Sequence, residues 1–141
     1  MNDPSPASEP YALAIAIQPD DIDVLGHVNN IVYLRWVQDA AAAHWTSLTT
    51  LEEQASVAWV VVRHEIDYRR PAMPDDRILA RTRVGTASRH TFERLTEIVR
   101  ENDGTVLANA RTLWVPLDPA TGRVIHVGNS LRIRFSLPPS E

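Results

Sequence analysis

One long helical period constrains this chain more than any other feature. From about Asn30, the apolar residues Leu34, Val37, Ala41, Trp45 and Leu48 recur at spacings of three and four, and Ala40 to Ala43 add helix propensity. At 3.6 residues per turn this is a helix of roughly four to five turns. Ile31, Val32, Tyr33, Trp36 and Ala42 carry apolar surface round its other faces, so the pattern predicts a helix with protein on most sides. A sheet wrapped round it would supply that surface.

The rest of the chain reads as such a sheet. Tyr11, Leu13, Ile15 and Ile17 alternate with small or polar residues up to Gln18-Pro19, the period of a first strand. Four further runs follow the helix at 57–68, 77–86, 91–100 and 106–117, rich in β-branched or apolar residues. Turn chemistry separates them: Arg70 to Asp76 with two prolines, Gly85 to His90, and the Asn102-Asp103-Gly104 hairpin signal. Leu131 to Phe135 reads as a short last strand. One strand, one long helix and then antiparallel strands is an α+β order, with a single domain at 11–137 between tails at 1–10 and 138–141.

Composition removes several chemistries. The chain has no cysteine, which excludes thiolate nucleophiles and disulfides, and all 14 basic residues are arginine, which excludes lysine Schiff bases. A net charge of −4 argues against a general nucleic-acid binder. The longest apolar run, Val57 to Val62, is too short to span a bilayer, and no charged-then-apolar leader opens the chain, so the expected location is the cytoplasm. No cofactor or metal is required: the Asp-x-Asp-x-x-Gly string lacks the later oxygen ligands of a calcium loop, with Leu25 and Val32 where they would stand.

Between the first strand and the helix lies Asp21-Ile22-Asp23-Val24-Leu25-Gly26-His27-Val28-Asn29-Asn30, a carboxylate-bearing loop at a helix N-terminus. The exposed N–H groups of a first helical turn can hold a developing oxyanion, and a nearby aspartate can attack a carbonyl or activate water. The backbone N–H of Asn30, with Val28 or Asn29 beside it, is the candidate oxyanion donor, and Gly26 allows a ligand close to the backbone. Alternatively Asp23 caps the loop, Asn29 and Asn30 begin the helix, and Tyr33 and Trp36 are core. Asp21 is expected to be a solvated loop charge.

The element order, with Asp23-Val24-Leu25-Gly26-His27-Val28-Asn29-Asn30 leading to Tyr33 and Trp36, resembles the hotdog-fold acyl-CoA thioesterases of the 4-hydroxybenzoyl-CoA thioesterase type. Asp67-Tyr68-Arg69-Arg70-Pro71, Pro74 and Asp76 are similar to that family's segment between strands. The Gly-His-Val-Asn-Asn form is similar to bacterial long-chain acyl-CoA and plant acyl-ACP thioesterases.

The resemblance implies a long central helix wrapped by an antiparallel sheet, hydrolysis of a fatty or aromatic acyl-CoA, and a homodimer or homotetramer. It makes Asp23 the catalytic carboxylate, as nucleophile or general base. His27 would polarise the reacting groups or pack as a turn residue. Leu25 departs from the plant Asp-x-Asn-x-His pattern, so that triad does not transfer. Gly26, Val28, Asn29 and Tyr33 are candidate substrate contacts, and Arg89, in the turn after the third strand, is the candidate nucleotide contact, with Arg69, Arg70, Arg81 and Arg83 as further guanidinium sources. Glu65 or Asp67 would face the site or form an ion pair with Arg63, Arg69 or Arg70. An acyl-ACP thioesterase or a non-catalytic acyl-thioester binder of the same fold is the alternative.

Overall fold

A computed structural model describes residues 10–138. Its elements are β1 (Tyr11–Ile15), a 3-10 turn (Pro19–Asp21), α1 (Asn30–Ser47), α2 (Leu51–Ser56), β2 (Ala58–Tyr68), β3 (Ile78–Ala87), β4 (Phe92–Arg100), β5 (Val106–Leu117) and α3 (Asn129–Arg134). The strands form one antiparallel sheet in the order β1-β3-β4-β5-β2. This is the expected α+β architecture, a sheet curved round α1. The tail at 1–9 and the end at 139–141 lie outside the described residues.

The sheet's inner face and α1 make the core. Period-two burial along β4 puts Phe92, Arg94, Thr96 and Ile98 inward. Trp36 and Tyr33 of α1 are buried against Ile78, Ala80, Ile98, Leu107 and Ala108. Asn29 caps the helix, its Oδ1 accepting from the Ile31 N–H at 3.2 Å. Only one broad face of α1 is covered: Ile31, Arg35, Gln38, Asp39 and Ala42 are exposed, so the helix is less enclosed than its apolar composition predicts.

Two elements differ from the sequence reading. Leu131 to Phe135 is not a strand but part of helix α3 and its C-cap. Leu131, Ile133 and Phe135 mimic a period of two, yet Ile133 is exposed while Arg132 and Phe135 are buried, because the spacing actually used is Leu131 to Phe135, one helical turn. The short helix α2 has no counterpart in the sequence reading; a capping box starts it, the Glu53 N–H donating to Thr50 Oγ1 at 3.1 Å and the Thr50 N–H to Glu53 Oε1 at 2.9 Å. Arg134 of α3 then donates to Glu53 at 2.7 Å and ties the two short helices together.

A buried polar cluster lies under the C-terminal half of α1. Arg94 Nη1 donates to His44 Nδ1 at 2.9 Å and to Thr82 Oγ1 at 3.2 Å, while His44 stacks on Tyr11 with ring centroids 5.2 Å apart. Since Nδ1 accepts, His44 is neutral with its proton on Nε2. Burial first, and the Arg94 charge second, lower its pKa from 6.5 to about 4.

The unfolded chain therefore takes up a proton on this residue at a pH where the folded chain does not, so stability is complete above about pH 6.5 and is lost as pH falls towards about 4. The expected contribution is up to about 3 kcal/mol, from 1.36 kcal/mol per pH unit. Urea unfolding at a series of pH values should show this slope in the wild type and a flatter one in His44→Phe. Parallel slopes would remove the assignment.

Candidate active site

The loop before α1 is built by its own backbone and by Asp23. The Asp23 N–H donates to the His27 carbonyl at 2.8 Å, the Gly26 N–H to the Asp23 carbonyl at 3.0 Å, and Ile22 bridges Val28. Asp23 Oδ1 accepts from the Leu25 N–H at 2.9 Å and the His27 N–H at 3.3 Å. Among the described residues no hydrogen bond uses Oδ2. Gly26 closes the turn at φ +81°, a left-handed conformation that glycine adopts freely. A Cβ there would meet nothing of the chain itself within 4 Å, so it is the positive φ that favours glycine in the fold.

Asp21 corrects the expectation of a solvated loop charge, being only 3% exposed. Its Oδ1 accepts from Arg35 Nη2 at 2.9 Å and its Oδ2 from the Gln18 N–H at 2.9 Å, while its carbonyl accepts from the Asn29 N–H at 2.8 Å. Burial alone would raise the carboxyl pKa, but the Gln18 N–H and the Arg35 guanidinium outweigh it and hold it below the usual value. The two aspartates thus have separate tasks. Asp21 anchors the loop to α1, and Asp23 shapes the loop tip.

The N–H groups at the helix start are nearly all committed. That of Val28 donates to the Ala72 carbonyl at 2.9 Å, that of Val32 to the Asn29 carbonyl at 2.9 Å, and those of Leu25, Gly26, His27, Asn29 and Ile31 are taken as above. Among the described residues the Asn30 N–H has no acceptor. The Val28 and Asn29 alternatives are thereby spent as oxyanion donors. Tyr68, absent from the sequence candidates, donates its hydroxyl proton to the Asn30 carbonyl at 2.9 Å and lies over the helix start.

These groups border a groove of about 380 Å³ whose wall includes Asp23, Leu25, His27, Asn30, Tyr68 and Arg70. Val28, Asn29, Tyr33, Arg69 and Pro71 complete it. Tyr33 is 1% exposed, as the core reading expects, and supports the groove from beneath: its hydroxyl accepts from the Ala72 N–H at 2.8 Å. Tyr33→Phe would leave that buried N–H unpaired and loosen the Ala72 carbonyl that holds Val28. A loss of about 1–3 kcal/mol in urea unfolding is expected; an unchanged midpoint would mean that Ala72 finds another acceptor.

Other candidates fall elsewhere. Arg89 is exposed in the turn after β3 and is no part of the groove. Ile78, which shares the core with Val28, begins the strand that Ala87 ends about 30 Å away, at ~3.3 Å per residue. Glu65 pairs with Arg63 and Arg111 within one chain. His64 is turned the opposite way, towards α1, with Nδ1 3.1 Å from Thr112 Oγ1. Period-two alternation along β2 gives that division.

Comparison with known proteins agrees with this architecture. Residues 17–135 match the model of the thioesterase-like superfamily. The chain is 28% identical over 123 residues to the long-chain acyl-CoA thioesterase FadM of Escherichia coli K12, covering 84% of this chain and 91% of that protein. A thioesterase from Thermus thermophilus, solved with coenzyme A and Zn, superposes with a TM-score of 0.79 at 26% identity over 91% of this chain and 92% of that one. A 1,4-dihydroxy-2-naphthoyl-CoA thioesterase from Synechocystis shares the fold, with a TM-score of 0.76 at 21% identity and coverage of 90% and 96%. The sheet, the helix it wraps and the match over most of the chain place the protein: it belongs to the thioesterase-like superfamily of thioester hydrolases and has the hotdog fold.

Proposed function

We propose that this protein is an acyl-CoA thioesterase that hydrolyses a fatty or aromatic acyl thioester to the free acid and CoA. The observation that carries this reading is the pairing of two uncommitted groups on one groove wall, Asp23 Oδ2 and the Asn30 N–H. The thioester oxygen would lie against the Asn30 N–H at the positive end of α1, where charge developing on it is stabilised. Asp23 would remove a proton from water as it attacks the carbonyl carbon, or attack that carbon itself and give a mixed anhydride that water then opens. In either route the C–S bond breaks and the thiolate leaves, to be protonated. His27 borders the same groove and would position water or the thioester. Arg69 and Arg70 place fixed positive charge at the rim, suited to the phosphates of CoA.

A homodimer or homotetramer is part of the proposal. β2 is an edge strand of eleven residues with Val60, Val62 and Tyr68 exposed, and Val24, Leu25 and Ile31 leave further apolar surface beside the groove. An unprotected edge of this length is a pairing surface, and a second copy would cover it. The similarity to FadM favours a fatty acyl-CoA as substrate, and the reading places the reaction in the cytoplasm.

Steady-state release of CoA from short-, medium- and long-chain acyl-CoAs and benzoyl-CoA tests the reading, beside the same acyl groups on acyl carrier protein. Turnover of at least one CoA ester supports it. Turnover of the carrier-protein esters alone would make this an acyl-ACP thioesterase. Tight acyl-CoA binding with no hydrolysis would make it a binding protein whose Asp23 only caps a loop.

A further inference from the structure

Tyr68, the last residue of β2, takes no part in the proposed chemistry. Yet its hydroxyl donates at 2.9 Å to the carbonyl of Asn30, the residue whose N–H is the uncommitted donor of the groove. In a helix that carbonyl already accepts the N–H four residues on, so the phenol adds a second bond from outside α1. A first helical turn needs such a tie. It has no preceding turn to fix its N–H groups, and helix ends fray.

The segment that carries Tyr68 grips the helix start twice. Four residues on, the Ala72 carbonyl accepts the Val28 N–H at 2.9 Å, so Tyr68 and Ala72 hold the chain on either side of the Asn29–Asn30 peptide. Tyr33 braces both: its ring meets the Tyr68 ring edge-on with centroids 5.2 Å apart, and its hydroxyl accepts the Ala72 N–H at 2.8 Å. The segment is itself fixed to the sheet, because the Arg69 and Arg70 N–H groups both donate to the Leu107 carbonyl of β5, at 2.8 and 3.1 Å. The sheet thus reaches the Asn30 peptide through the Tyr68 hydroxyl. An oxyanion donor contributes only as far as it is already aimed when charge develops, and a misplacement of about 1 Å costs on the order of 10²-fold in rate.

We infer that Tyr68 is a positioning residue for hydrolysis, its hydroxyl holding the first turn of α1 so that the Asn30 N–H stays aimed at the thioester oxygen. This role rests on the hydrolytic reading. Tyr68 acts through Asn30 and exchanges no proton with the substrate. Desolvation pushes its pKa above the usual value, so the hydroxyl remains a donor throughout the neutral range.

Tyr68→Phe tests it by removing one hydroxyl and keeping the ring on Tyr33. On an acyl-CoA that the wild type turns over, kcat should fall about 10- to 100-fold with KM within about twofold, and the pH profile of kcat should keep its shape. A phenol acting as acid or base would change the profile, and a merely structural one would leave kcat of the folded variant unchanged. Backbone ¹⁵N relaxation of the full chain gives a readout independent of turnover. The Asn30 N–H should have an order parameter of about 0.85 in the wild type and fall towards about 0.6 in Tyr68→Phe, while Val37 and Ala40 in mid-helix keep theirs. Tyr68 is 41% exposed, so the variant should fold, which circular dichroism checks; if it does not, the wild-type order parameter decides. Full kcat in folded Tyr68→Phe, a changed pH profile, or a wild-type Asn30 order parameter below about 0.6 would overturn the role and leave the hydrolytic reading in place. No turnover of any acyl-CoA by the wild type would remove that reading, and this role with it.

Discussion

Asp23→Asn is expected to lose hydrolysis while keeping its loop. Proton transfer by a placed side chain is worth roughly 10²–10⁴-fold in rate, so kcat should fall by about that factor with KM little changed. The geometry makes the asparagine variant the informative one. Asp23 Oδ1 accepts the Leu25 and His27 N–H groups, and an amide oxygen can accept both, so the turn through Gly26 survives. What the amide cannot do is take a proton from water or attack a carbonyl carbon. Asp23→Ala loses both tasks and should show the same fall in kcat together with a less stable loop. If Asp23→Asn retained wild-type turnover on a true substrate while Asp23→Ala did not, Asp23 would be a capping residue only.

Trp36→Ala is expected to cost about 3–5 kcal/mol of stability, the largest effect of any single substitution considered. Its side chain is 1% exposed, packs at 5.1 Å from the Tyr33 ring, and seats α1 on the sheet. Truncation would leave a cavity where the helix meets β3 and β4. Trp36→Phe behaves differently for a reason visible in the site. Among the described residues the buried Trp36 Nε1 has no hydrogen-bond partner, so phenylalanine removes an unpaired donor, worth about 1–3 kcal/mol, against a loss of packing smaller than that of alanine. The two contributions are comparable and the net change should be small. Urea unfolding of both variants checks this; a cost below about 1 kcal/mol for Trp36→Ala would contradict its place in the core.

Much of the fold was legible because its signals are local. The period of α1, the alternation along β1, the β-branched and apolar runs of β2 to β5 and the Asp103-Gly104 turn are set by neighbours within a few residues. The same locality misled at Leu131 to Phe135, where residues two apart and four apart are both apolar and only packing of Phe135 against His44 and Trp45 selects the helix. In the site, the motif pointed to Asp23 and the helix start, but not to Tyr68, whose hydroxyl reaches the Asn30 carbonyl from 38 residues away. An aromatic residue on an edge strand carries no mark of that role.

Asp21 and Asp23 separate what the sequence alone determined from what the tertiary structure decided. The sequence determined that a carboxylate-rich loop precedes a helix, because turn and cap preferences depend on adjacent residues, and through the motif it named Asp23 and Asn30. It could not show that Asp21 is buried. Asp21 is buried because Arg35, fourteen residues on, comes within 2.9 Å of it, and Arg94 is buried against His44 across fifty. Whether a charge is solvated, paired or left facing a cavity depends on which distant element arrives beside it, and that is settled only when the sheet closes round α1.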